Sequence, residues 1–315
     1  MILKKDVYNI AKCITVVLVV VAHATRMYTG LGVVDPVVGS LVLKQLTEII
    51  YSFHMPLFML LSGCVYGYCI EAGKYQQGMR FLGNKAKRLL IPYVIFGVCY
   101  VAPTMVLLRF TEQDYLTYLW EGIILSKNSR HLWYVFALFW IFLLAMLVRK
   151  LLLTTWGLPV VMLLAIGAYL ISSYIPAVFQ LRAATMYQVF FFAGVCINKY
   201  FDKLWLWIIL FGSFIVSGDA YLSAAFIGIG IVLGISLLLA KGKVAENRIV
   251  KGINQNGYGI YFFHPMIIYV CFALTYKMNI SPYVLCVGII VIAFALSWVL
   301  TVGVRKMKMG IIIGE

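Results

Sequence analysis

The chain has 315 residues, 63% hydrophobic and 12% charged, with a formal net charge of +15 and a mean hydropathy of +0.97. Soluble domains carry charge on about a quarter of their residues, so composition excludes a soluble enzyme or binding module and predicts a multi-pass protein embedded in the lipid bilayer. The cations do not signal nucleic acid, because Lys and Arg lie between apolar runs and form no single patch.

Apolar windows of about 20 residues predict an all-α, polytopic transmembrane bundle forming a single integral-membrane domain over residues 1–315. Ten helices are expected, at approximately 7–28, 49–70, 89–109, 131–148, 157–174, 186–198, 204–217, 219–239, 257–276 and 281–303. The sixth and seventh are short, and Gly228, Gly230 and Gly234 suit the eighth to close packing. No internal repeat, low-complexity tract or Pro/Ser-rich linker interrupts this series. Loops on the side of the N-terminus, from Lys4 and Lys5 to Lys241, Lys243 and Arg305, hold 18 cations against 7 on the other side. That bias predicts an even number of spans with both termini in the cytoplasm.

The first span has a run of ten apolar residues, Cys13 to Ala22, between Lys12 and His23. Eleven residues return a helix to nearly the same face, so both side chains line one stripe, about 16 Å apart. An ionisable group at mid-bilayer costs on the order of 3 kcal/mol, so the pair must face a polar interior, where an imidazole suits general-base work. Two other readings of the segment stand at this point. Lys4, Lys5 and Ala22-His23-Ala24 fit a signal peptide with its cleavage site, and His23 fits a structural hydrogen bond to a neighbouring helix.

Further along, the second span carries Phe53-His54-Met55-Pro56-Leu57-Phe58 and Ser62-Gly63. His54 is expected toward the outer face at a depth similar to His23, in either a packing or a binding role. Lys85, Lys87 and Arg88 precede Leu89-Leu90-Ile91-Pro92. Three cations there fit either a polyphosphate or anionic lipid headgroups. The fourth span opens with Arg130-His131-Leu132-Trp133-Tyr134, which suits an aromatic belt or the faces and hydroxyl edges of a sugar. The ninth carries Asn256-Gly257-Tyr258-Gly259-Ile260-Tyr261-Phe262-Phe263-His264-Pro265, with glycines for close backbone approach and Pro265 for a kink. Seven cysteines, none in a CxxC pair, read as buried small hydrophobes. The four histidines are widely separated along the chain, so no metal site is expected.

Taken together, in this order and spacing, these motifs resemble the membrane-bound acyltransferase-3 family, which O-acylates sugars and cell-surface polymers. The resemblance covers nearly the whole chain. It rests on Asp6 with Lys12 and His23, on Phe53 to Phe58 through Ser62-Gly63, on Lys85-x-x-Arg88, on His131-Leu132-Trp133-Tyr134, and on Tyr258-Gly259-Ile260-Tyr261 through His264-Pro265. Lys12 and Lys85 stand where arginine is commoner in the family, and a lysine lacks the planar fork needed for a bidentate contact.

The resemblance implies an acyl-CoA co-substrate, usually acetyl-CoA, with no tightly bound cofactor, and a sugar or glycan acceptor presented from the other side of a bacterial plasma membrane. His23 is then the general base or a transient acyl carrier, with Lys12 and Asp6 as catalytic partners. Lys85, Lys87 and Arg88 hold the donor phosphates. His54, His131, Trp133, Tyr134, Tyr258, Tyr261 and His264 bind substrate, and His54 and His264 are expected to matter less than His23. A transporter or exporter of a glycan or of its lipid-linked precursor is the alternative for such a bundle, and a scaffold subunit of a polysaccharide-synthesis complex is a third. Acceptor identity, acyl length and oligomeric state stay open at the level of sequence.

Overall fold

The computed structural model describes all residues except Met1, Leu31, Thr155, Val216, Ser217 and Lys243, and the side chains of all the others except Ile2, Leu3 and Leu204. Lys243, counted in the cation bias, and the last two residues of the expected seventh span therefore lie outside the described residues. No strand occurs among the described residues. The helices are α1 (Ile2–Arg26), α2 (Leu41–Glu71), α3 (Gly78–Leu107, with a π turn at Gly97–Val101), α4 (Arg130–Leu147) and α5 (Gly157–Tyr174). They continue as α6 (Leu181–Lys199), α7 (Leu204–Ile215), α8 (Ala220–Lys241), α9 (Arg248–Thr275) and α10 (Pro282–Lys306).

Every expected span has its helix. Eight of them, all but α6 and α7, are long and apolar enough to cross a membrane. α6 has 19 residues, more than α4 or α5, but Arg182, Gln188, Asn198 and Lys199 lower its hydropathy, whereas α7 has 12, roughly 18 Å, short of a hydrocarbon layer about 30 Å thick. The starts differ from the expected ones where a polar turn precedes the apolar window. α2 begins at Leu41 because the Ser40 side chain caps it, accepting from the Leu43 amide at 3.3 Å, and α9 begins at Arg248 because Asn247 accepts from the Ile249 amide at 2.8 Å. Capping satisfies amides that would otherwise lack partners, so a helix can extend beyond its apolar stretch.

α1, α2 and α9 are the most buried spans, whereas α5 and α10 present much of their surface outward. α1 packs against α2, α8 and α9, and α2 packs most extensively against α6. The α2–α6 seam is a backbone contact. A Cβ at Gly63 would sit 1.8 Å from the Phe191 carbonyl oxygen, and one at Gly194 would sit 2.0 Å from the Leu60 oxygen. Small residues permit such approach where lipid offers no hydrophobic drive for helix association. Of the α8 glycines only Gly228 serves this way, against Phe53.

The cations sort into two ends. At the N-terminal face Lys4 donates to the Asn198 carbonyl at 2.6 Å and pairs with Glu71 at 3.8 Å, while Arg305 pairs with Glu315 and bonds Asn256 at 2.6 Å. Arg26, Lys127 and Arg130 lie together at the far face.

Candidate active site

α1 organises the site. Lys12 and His23 share the stripe expected from their spacing, and that stripe faces α9. The Lys12 ammonium donates to the Asn254 carbonyl at 3.0 Å, and the His23 ring lies 5.1 Å from the His264 ring, centroid to centroid. Gly257 leaves room for the first contact, because its missing Cβ would lie 3.2 Å from Val16 and 3.6 Å from the Lys12 side chain.

The four histidines, dispersed over four helices in the sequence, converge in space. His264 lies 5.1 Å from His23 and 6.2 Å from His131, and Tyr51 bridges His23 (6.0 Å) to His54 (4.8 Å), all between centroids. His54, His131 and His264 are buried, and His23 is the member with partial exposure. His54 and His264 each bond through Nδ1 to the carbonyl one turn back, Ile50 and Ile260, both at 2.8 Å. A carbonyl only accepts, so both rings carry their proton on Nδ1 and leave Nε2 as an acceptor. Neither Nε2 has a partner within the protein, nor does either His131 ring nitrogen. The Tyr51 hydroxyl is 3.5 Å from His23 Nδ1. No group of three or more His, Cys, Asp or Glu side chains arranged to hold a metal occurs among the described residues.

Two cavities approach this cluster from opposite ends. One, of about 440 Å³, runs from the N-terminal face past Lys85, Arg88 and Lys12 to Ser62, Tyr134 and Tyr261. The Lys85 ammonium lies 4.1 Å above the Phe142 ring, and Arg88 donates to the Gly314 carbonyl at 2.7 Å. Tyr258 lines the same cavity and donates to the Arg88 carbonyl at 3.2 Å. At the deep end the Ser62 and Tyr134 hydroxyls are 2.9 Å apart. The second cavity, of about 320 Å³, opens at the far face and is lined by His23, Tyr51, His131 and Trp133.

A single layer of side chains separates the two. Trp133 faces one cavity and its neighbour Tyr134 the other. Tyr261, on the N-terminal side, donates to the His131 carbonyl on the far side, with ring centroids 5.5 Å apart. The arrangement can bring an elongated anionic donor and a separate acceptor to one imidazole cluster from opposite sides. The model of an acyltransferase domain, acyltransferase family 3, matches residues 7–302.

The chain belongs to the acyltransferase-3 family.

It is therefore an acyltransferase, and an integral multi-pass one. No curated protein and no solved structure shows a significant match to the chain. Most of the acyltransferase's expected site residues fall on the two cavities or the layer between them. Asp6 lines neither, and Lys87 lines only the mouth of the N-terminal cavity with Asn84 and Glu315. Both displacements follow from helical angle. Asp6 is about 240° around α1 from Lys12, and Lys87 is turned from the face that Lys85 and Arg88 share at i, i+3. His54 reaches the cluster through Tyr51 and lines neither cavity.

Sequence reasoning overlooked Tyr51, one turn before His54, and Arg26, one turn after His23; the i, i+3 spacing was the available signal. It also missed Asn9, which lines the N-terminal cavity and accepts from Asn254 at its carbonyl, Asn254 itself, and Gln180 in the far-face cavity, for which the linear sequence carries no cue. Pro265 sits within a helix continuous from Arg248 to Thr275, and its missing N–H leaves the Tyr261 carbonyl without its usual helical donor.

Proposed function

We propose that the protein transfers an acyl group, acetyl in the simplest case, from acyl-CoA to a hydroxyl of a sugar or cell-surface glycan across a bacterial plasma membrane. The observation that carries this reading is the pair of opposed cavities separated by one layer at the four imidazoles. The cation bias supports placing the N-terminal face in the cytoplasm, where acyl-CoA is made.

In this reading the donor's phosphates stay near Lys85 and Arg88, with Lys87 at the entrance and Lys12 further in. The narrow pantetheine arm carries the thioester to Ser62, Tyr134 and Tyr261. The Tyr134 hydroxyl, turning from its contact with Ser62, donates to the thioester carbonyl as it gains negative charge. Rotation of Tyr261 away from the His131 carbonyl opens the layer. His23, the partly exposed imidazole, takes the proton of the acceptor hydroxyl as that oxygen attacks the thioester carbon. The C–S bond breaks, an ester forms, and the CoA thiolate leaves with the proton from His23. If His23 instead carries the acyl group first, its ring nitrogen forms an N–C bond as the C–S bond breaks, and that N–C bond breaks as the acceptor oxygen forms the ester and gives up its proton. Holding both substrates at one layer lowers the entropic part of the barrier.

Mass spectrometry of surface glycans from cells with and without the protein tests this. A mass difference of one acetyl unit on a defined sugar is expected. A glycan missing from the surface altogether, rather than lacking an acyl group, would favour the transporter reading.

A further inference from the structure

We infer that the far-face cavity recognises an acidic acceptor, a sugar unit bearing a carboxylate or phosphate, through Arg130 with Arg26 and Lys127. This inference rests on the reading of that cavity as the acceptor site. The topological bias leaves only seven cations on the far side, yet three of them line this one cavity. Lys127 and Arg130 come from one loop, and Arg26 joins them from the end of α1. No carboxylate lines the cavity among the described residues. Arg26, Lys127, Arg130 and Trp133 in this lining can only donate.

Each of the three cations touches the protein. Lys127 pairs with Glu121 at 3.7 Å, and Glu121 is also held by Gln113 at 2.9 Å. Arg26 lies 5.1 Å above the Tyr51 ring, beside His23. Arg130 Nε is buried and has no partner within the protein. Arg130 itself lines the cavity, and a guanidinium there can meet a planar or tetrahedral oxyanion through its N–H groups.

The loop that carries Arg130 is also held in place. Ser126 and Arg130 both adopt left-handed backbone, at φ +54° and +50°, as do Phe179 and Gln180 opposite. Gln180 bonds the Ser126 carbonyl and its hydroxyl, the Phe179 amide donates to the Leu125 carbonyl at 2.8 Å, and Trp140 donates to the Phe179 carbonyl at 2.9 Å. Non-glycine residues persist in that conformation where the surroundings enforce it, as they do in ligand clamps. An anion seated at Arg130 would place the rest of its sugar within the cavity that His23 lines.

The test measures binding, so that it stands apart from catalysis. The full chain, in nanodiscs of zwitterionic lipid, is titrated with a glucuronate-containing oligosaccharide, a sugar phosphate and a neutral oligosaccharide of matched length. Either acidic probe is expected to bind at least tenfold tighter than the neutral one, and raised salt should narrow the gap. Arg130→Gln should remove the preference and Arg130→Lys should retain part of it, with thermal stability showing that both variants fold. Equal binding of acidic and neutral probes, or no binding of either acidic probe, overturns the inference. So does a preference that Arg130→Gln leaves intact. An effect of Arg130→Gln confined to retention of phosphatidylglycerol would assign the site to lipid headgroups and likewise overturn it. Acidic-probe binding lost with Arg130, in a protein that transfers no acyl group, would uphold this inference while sinking the catalytic reading.

Discussion

His23 and His264 face each other at 5.1 Å between ring centroids, although 240 residues lie between them in the chain. The contact joins the first helix to the ninth at the level where the two cavities end. It makes His264 more than a distant packing residue. Its Nδ1 is committed to Ile260, and its buried Nε2 has no hydrogen-bond partner within the protein.

The donor route predicts unequal roles for the three cations near the N-terminal face. Lys85 and Arg88 line the cavity, whereas Lys87 lines only its mouth. Hydrogen bonds to charged groups contribute about 1.5–3 kcal/mol each, so Lys85→Gln with Arg88→Gln should weaken acetyl-CoA binding by a hundredfold or more. Lys87→Gln should change it only a few-fold. Calorimetry with acetyl-CoA and desulfo-CoA would show this, and equal effects from all three would assign the cluster to topology alone.

Orientation is open to a direct check. Single cysteines at positions 74 and 306 should resist an impermeant thiol reagent added to intact cells, while one at position 127 should label. Replacing exposed Cys99 lowers the background. External labelling at position 85 would exclude the proposed donor entry.

The α2–α6 seam predicts a stability effect with a built-in comparison. Gly63→Ala would drive a methyl into the Phe191 carbonyl, whereas a Cβ at Gly234 meets nothing within 4 Å. Overpacking a tight contact costs about 1–3 kcal/mol, and Gly→Ala in an open helix position is favourable by up to about 1 kcal/mol. Thermal unfolding in detergent should therefore show Gly63→Ala markedly lowered and Gly234→Ala unchanged or raised.

Much of the bundle was legible because a membrane span is a long-window signal that capping and packing only extend at the ends. The Lys12–His23 stripe was legible for a similar reason, since eleven residues close three helical turns. Helical angle also held information that the motif-based reading overrode: it separates Asp6 from Lys12 and Lys87 from Lys85. The imidazole cluster was not legible. Convergence of His54, His131 and His264 on His23 depends on how four helices pack, and on backbone contacts such as Gly63 with Phe191 that no periodicity encodes. The Arg130 clamp was hidden for another reason, because a loop held in left-handed backbone by Gln180 carries no glycine to mark it.

The most direct measurement is acyl transfer by purified His23→Ala beside the wild type, with His264→Ala and His54→Ala as graded comparisons. A general base contributes about 10²- to 10⁴-fold, so His23→Ala should lose at least a hundredfold in rate while keeping acetyl-CoA affinity and thermal stability. His264→Ala, in contact with His23, should lose less, and His54→Ala, reached only through Tyr51, least of all. Transfer by His23→Ala at near wild-type rate, or inactivity that tracks loss of the folded protein, would contradict the account.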